Sequence, residues 1–491
     1  MLYTVKQLRQ IEQAAQAKLA SGTLMRAAGL AAAQLALQLL NSTPQRILVV
    51  AGPGNNGGDA FETAAHLANA KHHVSVLQIQ SKTPRSDEAQ QALDKAQALK
   101  SIHWLDAESA VTEDYDLVID GLFGIGLKPS KISRSLKQQC EQINALSCPV
   151  LALDIPSGLD ADTGNTIIAC AIRATHTITF IGDKIGLHTA DGKDYAGQIV
   201  LADLGIERGQ FPASDLQLNR TALFPIIGQA RRQNSHKGSN GTVSLIGGTT
   251  GMQGALVLAA RATLYAGAGK TIAGFIDNPP HYDLQQPEIM CRPAQQIIFG
   301  PDNAVVIGPG LGSSVASFEI VSRALLATSP LVIDADALNL LSQQPALHAL
   351  CSGRDKSSTI LTPHPLEAAR LLGCGIDVVQ ADRVQAAKKI ARRFAAVVIL
   401  KGSGTVIAHP DGAVVINPTG NPGLASGGTG DVLAGVCGAL FAQHKDCWQT
   451  ALAATYLHGA AADNLVKRGI GPVGLTASEL LVEIRQQLNS Q

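Results

Sequence analysis

The chain has 491 residues, more than one hydrophobic core usually organises, so two or three domains are expected. Its 39 lysines and arginines balance 39 aspartates and glutamates, which removes the electrostatic case for a nucleic-acid or anionic-membrane partner. Residues 29–40 are the most apolar run but are too short for a bilayer, no basic leader precedes an apolar stretch, and the eight cysteines form no CxxC pair, so a cytoplasmic protein with reduced structural thiols is expected.

Val5, Leu8, Ile11, Ala15 and Leu19 recur at helical spacing and predict a helix from Val5 to Ala20; a second covers Leu24 to Leu40. The β-branched run Arg46 to Ala51 reads as a strand. A glycine-rich turn, GPGNNGGD at Gly52 to Asp59, a helix from about Ala60 to Ala70 and a strand from His73 to Ile79 complete a βαβ unit. Further strands are predicted at Asp116 to Asp120, Val150 to Asp154, His176 to Ile181 and Gln198 to Leu201. The pattern then fades, and the polar residues 208–222 read as a linker between a domain of residues 1–207 and one of residues 223–491.

The second series has strands at Thr242 to Ile246, Thr271 to Ile276, Ala304 to Ile307, Leu331 to Ile333, Ser358 to Leu361 and Ala396 to Leu400. Val406 to Ala408 and Ala413 to Ile416 form a hairpin with Asp411 and Gly412 at its turn. Helices follow at Gly254 to Ala266, Gly430 to Ala442 and Trp448 to Val466. Both halves are predicted to be α/β, with largely parallel sheets covered by helices on both faces. They share no motif order, so the chain is not an internal repeat.

In an open parallel sheet the carboxyl ends of the strands form the ligand crevice, and each suggestive motif of the first half follows a strand. Gly52 to Asp59 presents backbone N–H groups at a helix start, which makes an anion site or, taken alone, only a tight connection. DGLFGIGLKPS from Asp120 and DIPSGLD from Asp154 each begin with an aspartate at a strand end, where Asp and Ser either cap the loop or bind a ligand. Three oxygen-rich strand ends on one edge favour the ligand.

In this order, GPGNNGGD, DGLFGIGL and DIPSGLDADTG resemble the epimerase domain of the NAD(P)H-hydrate repair family over roughly residues 1–204. The resemblance implies a Rossmann-like three-layer α/β/α domain. It implies that Asn55, Asn56, Gly57, Gly58, Asp59, Gly124, Ile125, Gly126, Leu127, Lys128, Pro129, Ser130 and Asp154 hold the hydrated nucleotide. It also implies a potassium ion on Asn56, Asp120 and Ser157, whose oxygens suit a hard cation. The reaction would interconvert the R and S hydrates at carbon 6 of the damaged nicotinamide ring. Asp154 and Asp59 are the candidates for moving the proton, and the sequence does not choose between them. Ala60 and Arg26 stand where the family often has a glycine and an acidic residue; neither is given a role.

The second half carries NPTGNPGLASGGTGDVLAG at Asn417 to Gly435. Glycines crowd the turn before a helix and Asp431 sits in its first turn, beside an anion hole of free backbone N–H groups. A lone acidic residue there is more readily a helix-dipole partner, but so many glycines cost backbone entropy that a close ligand best compensates. The run resembles the ribokinase-like superfamily, where the matching aspartate is the base that activates a hydroxyl. More closely it resembles the dehydratase domain of the same repair family. SHKGSNG, GGTTGMQGA, GPGLG, DADAL, LTPHPLEAARLL and KGSGT occur in family order between Ser235 and Thr405, and the likeness spans roughly residues 223–488.

The resemblance implies a ribokinase-like fold with Asp431 as catalytic base. Ala255, Gly310, His364 and Asp431 would contact the hydrate, Lys401, Gly402, Ser403, Gly404, Thr405 and Gly430 would line the adenine nucleotide, and Glu367 would serve magnesium through water. ADP is the expected donor, giving AMP. The implied partners are the small molecules NADHX, NADPHX and ADP, and a homo-oligomer is the expected assembly. A dehydratase that takes only the S hydrate leaves the R form untouched, so an epimerase in the same chain would feed it. Two other readings stay open on sequence: an ordinary small-molecule kinase of ribokinase type, which does not account for TPHP, KGSGT or the first domain, and a non-catalytic first half.

Overall fold

The computed structural model describes residues 1–490 except 41–43, 80–83, 107–113, 128–133, 168–170, 226 and 228–229. The chain divides between Ser214 and Asp215 into two units. In the first, alternation along the strand Arg46–Ala51 sets the layers. Ile47, Val49 and Ala51 join one buried cluster with residues of the helices Thr23–Leu39, Asn55–Asn69 and Asp87–Gln97, while Leu48 and Val50 join another with Cys140 and Ile143 of the helix Arg134–Asn144. A strand buried on both faces has to be apolar throughout, and RILVVA is, after its first residue.

Seven parallel strands form this sheet, in the order Ile102–Leu105, His73–Gln78, Arg46–Ala51, Leu117–Gly121, Val150–Leu153, His176–Phe180 and Gln198–Ala202. The order reverses between Arg46–Ala51 and Leu117–Gly121. Connections leave those two strands in opposite directions, and a crevice opens at their carboxyl ends.

Two predicted boundaries are corrected here, and two short pairings were not foreseen. The helix expected near Ala60 starts at Asn55, so all of NNGGD is helical. A Cβ on Gly57 would stand 1.9 Å from the Gly52 carbonyl oxygen, so the glycine lets the helix press against the strand end. The strand expected to reach Asp154 ends at Leu153, because Asp154 turns into the left-handed region with φ 65°. Ile102–Leu105, a half-exposed edge strand, and the pairing of Leu2–Tyr3 with Asp183–Lys184 are too short to show periodicity in sequence.

The second unit has a ten-stranded sheet ordered Leu216–Leu218, Val414–Ile416, Val406–Ala408, Val397–Leu400, Thr359–Leu361, Leu331–Ile333, Asn303–Ile307, Thr242–Gly247, Lys270–Phe275 and Met290–Pro293. Only the two pairings of Val406–Ala408 are antiparallel. This is the predicted hairpin, with Asp411 and Gly412 in its connection. The helix Thr429–His444 is buried nearly all round against the helix Gln253–Tyr265 and the sheet, as its small apolar sequence requires.

The linker expected at 208–222 is not a free tether. Arg208–Gln210 is a 3-10 turn of the first unit, and Leu216–Leu218 is an edge strand of the second, parallel to Val414–Ile416. The Asn219 amide is buried and donates to Asn417 Oδ1 at 3.0 Å and to the Leu452 carbonyl at 2.9 Å. A three-residue strand and one buried amide leave no apolar period to detect.

Candidate active sites

A cavity of about 360 Å³ opens at the crevice of the first unit. Of the residues expected there, Asn55, Asn56, Asp59, Gly124, Ile125, Gly126, Leu127 and Asp154 line it. Gly57 and Gly58 are buried in the helix beside them. Lys128, Pro129 and Ser130 lie outside the described residues. The cavity is also lined by Glu12 of the helix Val5–Gln16, by Glu88 and by Lys184, none of which the motifs marked. Lys184 Nζ lies 2.7 Å from Asp154 Oδ1. Burial raises the Asp59 carboxyl well above the ordinary carboxylate range, and the charges of Asp154, Glu12, Glu62 and Glu88 add to it.

Beneath the cavity, Ser157 Oγ donates to Asp120 Oδ1 at 2.6 Å and accepts from Phe123 N at 2.9 Å, and Ser157 N donates to Asp120 Oδ2 at 2.8 Å. Burial pushes the Asp120 carboxyl up to about 6, against the hydrogen bonds from Ser157 and Leu122. Asn56 is buried, yet neither its amide oxygen nor its amide nitrogen has a hydrogen-bond partner. The structure therefore brings Asn56, Asp120 and Ser157 to one strand-end region with an amide group unsatisfied.

The motifs of the second unit likewise collect at strand ends. Thr249 N donates to the Gly310 carbonyl at 2.7 Å, and Gly312 N to Asp336 Oδ2 at 2.9 Å, which ties GTTG, GPGLG and DADAL together. Ala255 is half-buried in the first turn of the helix Gln253–Tyr265, and a Cβ on Gly310 would stand 2.4 Å from the carbonyl of Met252 just before that helix.

Lys401 follows the strand Val397–Leu400, and its Nζ lies 2.8 Å from Asp334 Oδ1. Burial opposes its charge, but Asp334, Glu367 and Asp431 outweigh that and raise it above the ordinary lysine range. Gly430 meets the same ammonium, since a Cβ there would be 3.3 Å from Nζ. Asp431 is half-buried in the first turn of Thr429–His444; burial, then Asp334, pushes it up to about 7. Burial pushes Glu367 up to about 7 as well, with Lys401 opposing.

His364 is the N-cap of the helix Pro365–Leu372: its Nδ1 accepts from Leu366 N at 3.1 Å and from Glu367 N at 3.4 Å, while Glu367 Oε2 accepts from His364 N at 2.8 Å. The ring remains half-exposed, so capping and ligand contact are compatible.

Gly402, Ser403, Gly404 and Thr405 form a turn closed by Thr405 Oγ1 donating to the Gly402 carbonyl at 3.0 Å. Under it lies Arg383, whose Nη2 donates to the Leu400 and Lys401 carbonyls at 3.3 and 3.1 Å. Sequence reasoning missed Lys184 and Arg383, which stand outside every motif. It quoted Asp334 in DADAL without a role, although an acid at a strand end was a usable signal.

Residues 243–486 match the family model described as NAD(P)H-hydrate dehydratase, and residues 21–186 match the one described as YjeF-related protein N-terminus. The chain is 36% identical to the bifunctional NAD(P)H-hydrate repair enzyme Nnr of Escherichia coli K12, across 90% of this chain and 85% of that one. It is 35% identical to the same-named enzyme of Coxiella burnetii, across 100% of this chain and 99% of that one. The chain belongs to the bifunctional NAD(P)H-hydrate repair enzymes. Among solved structures it is similar to an ADP/ATP-dependent NAD(P)H-hydrate dehydratase from Bacillus subtilis co-crystallised with ATP and Mg2+, at 31% identity and a TM-score of 0.48, over 56% of this chain and 98% of that one. The repair enzyme described here thus combines epimerase and dehydratase activities in one polypeptide, and the α/β class and paired function expected from sequence both hold.

Proposed function

We propose that the cavity of the first unit epimerises the R and S hydrates, with Asp154 as a catalytic group, and that the Asp431 cluster dehydrates the S hydrate using ADP and releasing AMP and phosphate. The observation that carries the second assignment is Asp431 itself, a carboxylate with a proton affinity near neutrality, in the first turn of a glycine-wrapped helix beside Lys401. A general base works best when its pKa lies near the working pH.

Asp431 takes the proton of the ring hydroxyl as that oxygen attacks the terminal phosphorus of ADP. Charge developing on the phosphoryl oxygens meets the backbone N–H groups of residues 427–430 and the Lys401 ammonium. The carbon–oxygen bond at carbon 6 then breaks with its electron pair as phosphate leaves, the ring nitrogen's lone pair stabilising the carbon, and loss of a proton from the adjacent ring carbon to water restores the double bond. Gly402 to Thr405 and Gly430 hold the nucleotide; Ala255, Gly310 and His364 face the hydrate.

The buried carboxylate of Glu367, on a rim shared with Asp334 and Asp431, fits a hard divalent cation with water between, and magnesium there supplies charge neutralisation for the phosphates. In the first unit the unsatisfied Asn56 amide and the buried Asp120 and Ser157 oxygens fit potassium, since an orphaned buried amide is costly until something ligates it. The seven described cysteines are free thiols, which supports a cytosolic setting, and we expect a homo-oligomer.

The test is a turnover assay on mixed-epimer hydrate, with ADP and ATP side by side. The expected result is consumption of both epimers, free phosphate, recovery of reduced-nicotinamide absorbance and faster turnover with ADP. A phosphorylated metabolite that accumulates would identify an ordinary kinase and overturn the dehydratase assignment. An R hydrate that persists at its spontaneous rate would overturn the epimerase assignment.

A further inference from the structure

Asp59 and Asp154 line one cavity in opposite surroundings. Asp154 holds a left-handed φ of 65°, which a non-glycine residue adopts only when its neighbours enforce it. Its N–H donates to the Ile178 carbonyl at 2.7 Å. Lys184 Nζ at 2.7 Å and Phe180 N at 3.2 Å both engage its Oδ1, so its Oδ2 faces no partner among the described residues. Lys184 is 1% exposed and donates to Thr179 Oγ1 at 2.6 Å, so its ammonium cannot swing out to solvent. Asp59 has no cation paired with it among the described residues. Burial and the negative Asp154, Glu12, Glu62 and Glu88 favour its protonated form. One cavity lined by a carboxyl with no cation beside it among the described residues and by a carboxylate paired with a buried lysine has the parts of an acid and a base.

We propose that Asp59 is the acid that releases the ring hydroxyl, that Asp154 Oδ2 is the base that receives the proton of the returning water, and that Lys184 is the positioning residue that fixes Asp154. This rests on the reading of the cavity as the epimerase site. The Asp59 proton moves to the hydroxyl oxygen at carbon 6, and the carbon–oxygen bond breaks with its electron pair as water leaves. The lone pair of the ring nitrogen forms a double bond to carbon 6, which becomes planar. Water then adds to the other face: its oxygen forms the new bond, the double-bond pair returns to nitrogen, and Asp154 takes the proton. The proton returns to Asp59 through water, and nothing is oxidised or reduced.

The experiment uses the full chain without nucleotide, following R-to-S conversion above the spontaneous rate by separation of the epimers. Because the substituted residues all lie in the first unit, a thermal melt of the first-unit transition and a circular-dichroism spectrum matching the wild type report that each variant is folded. Asp59→Asn is expected to lower kcat for epimerisation by about 100-fold or more, the range of a lost general acid, with KM little changed. Lys184→Gln is expected to lower kcat by about tenfold or more with KM little changed, and Lys184→Arg to recover most of that loss, because a positioned cation rather than a packed stem is needed. Wild-type epimerisation by Asp59→Asn, with Asp154→Asn inactive, would overturn the acid assignment while leaving the cavity as the site. Equal loss in Lys184→Gln and Lys184→Arg, or a change confined to KM, would overturn the positioning role. Full activity in both Asp59→Asn and Asp154→Asn would overturn the cavity reading itself.

Discussion

Asp431 and Asp154 sit among different neighbours: Asp431 shares its surroundings with Lys401, Asp334 and Asp336, whereas Asp154 pairs with the buried Lys184 in a cavity that Glu12, Asp59 and Glu88 also line. Asp431→Ala is expected to reduce dehydration by several orders of magnitude, about 4 kcal/mol or more, and to spare epimerisation. Asp154→Ala is expected to do the reverse. If either change removed both activities from soluble, folded protein, the two-site model would fall. A pH profile adds a second check. Burial and the negative Asp334 and Asp336 hold Asp431 up to about 7, against the pull of Lys401. Below that pH the base carries a proton and cannot take another, so kcat/KM for dehydration should rise with pH through neutrality. A flat profile there would exclude Asp431 as the base.

At the scale of elements, glycine positions in helices separate propensity from packing. A Gly-to-Ala change inside a helix ordinarily stabilises by up to about 1 kcal/mol. Gly254, in the first turn of Gln253–Tyr265, has open space where its Cβ would go, so Gly254→Ala should leave the melting temperature equal or higher. Gly57 faces a backbone oxygen at 1.9 Å from its would-be Cβ, and Gly57→Ala should lower it, with overpacking costing about 1–3 kcal/mol. Thermal unfolding of the two variants side by side checks the sign. The same contrast explains what was legible. GPGNNGGD announced a close approach of backbone, but only the structure shows that Asn55, Asn56, Gly57 and Gly58 are already helical, because a helix start and a turn look alike in a run of Asn and Gly.

At the scale of the molecule, each unit has its own buried clusters, so each should fold alone. Fragments cut between Ser214 and Asp215 are expected to retain epimerisation and dehydration respectively. A second fragment starting at Leu223 lacks the edge strand Leu216–Leu218 and the buried Asn219 amide, and should melt at a lower temperature than one starting at Asp215. Equal melting would mean that the edge strand contributes nothing. Replacing potassium by a bulky organic cation should lower the melting temperature of the first fragment, since a ligand held only by the folded state stabilises it, and should leave the second unchanged.

The ordered motifs at strand ends, with their glycines and acids, were enough to identify two α/β units and their family, and to name eight of the residues that line the first unit's cavity, because apolar alternation and strand-end chemistry are local properties of the chain. What the chain cannot display locally is which distant groups share a charge. Lys184 against Asp154, Lys401 among Asp334, Glu367 and Asp431, and the unsatisfied Asn56 amide arise only when separate strands end on one edge. Burial there, not residue type, raises the proton affinity of Asp59, Asp120, Glu367 and Asp431.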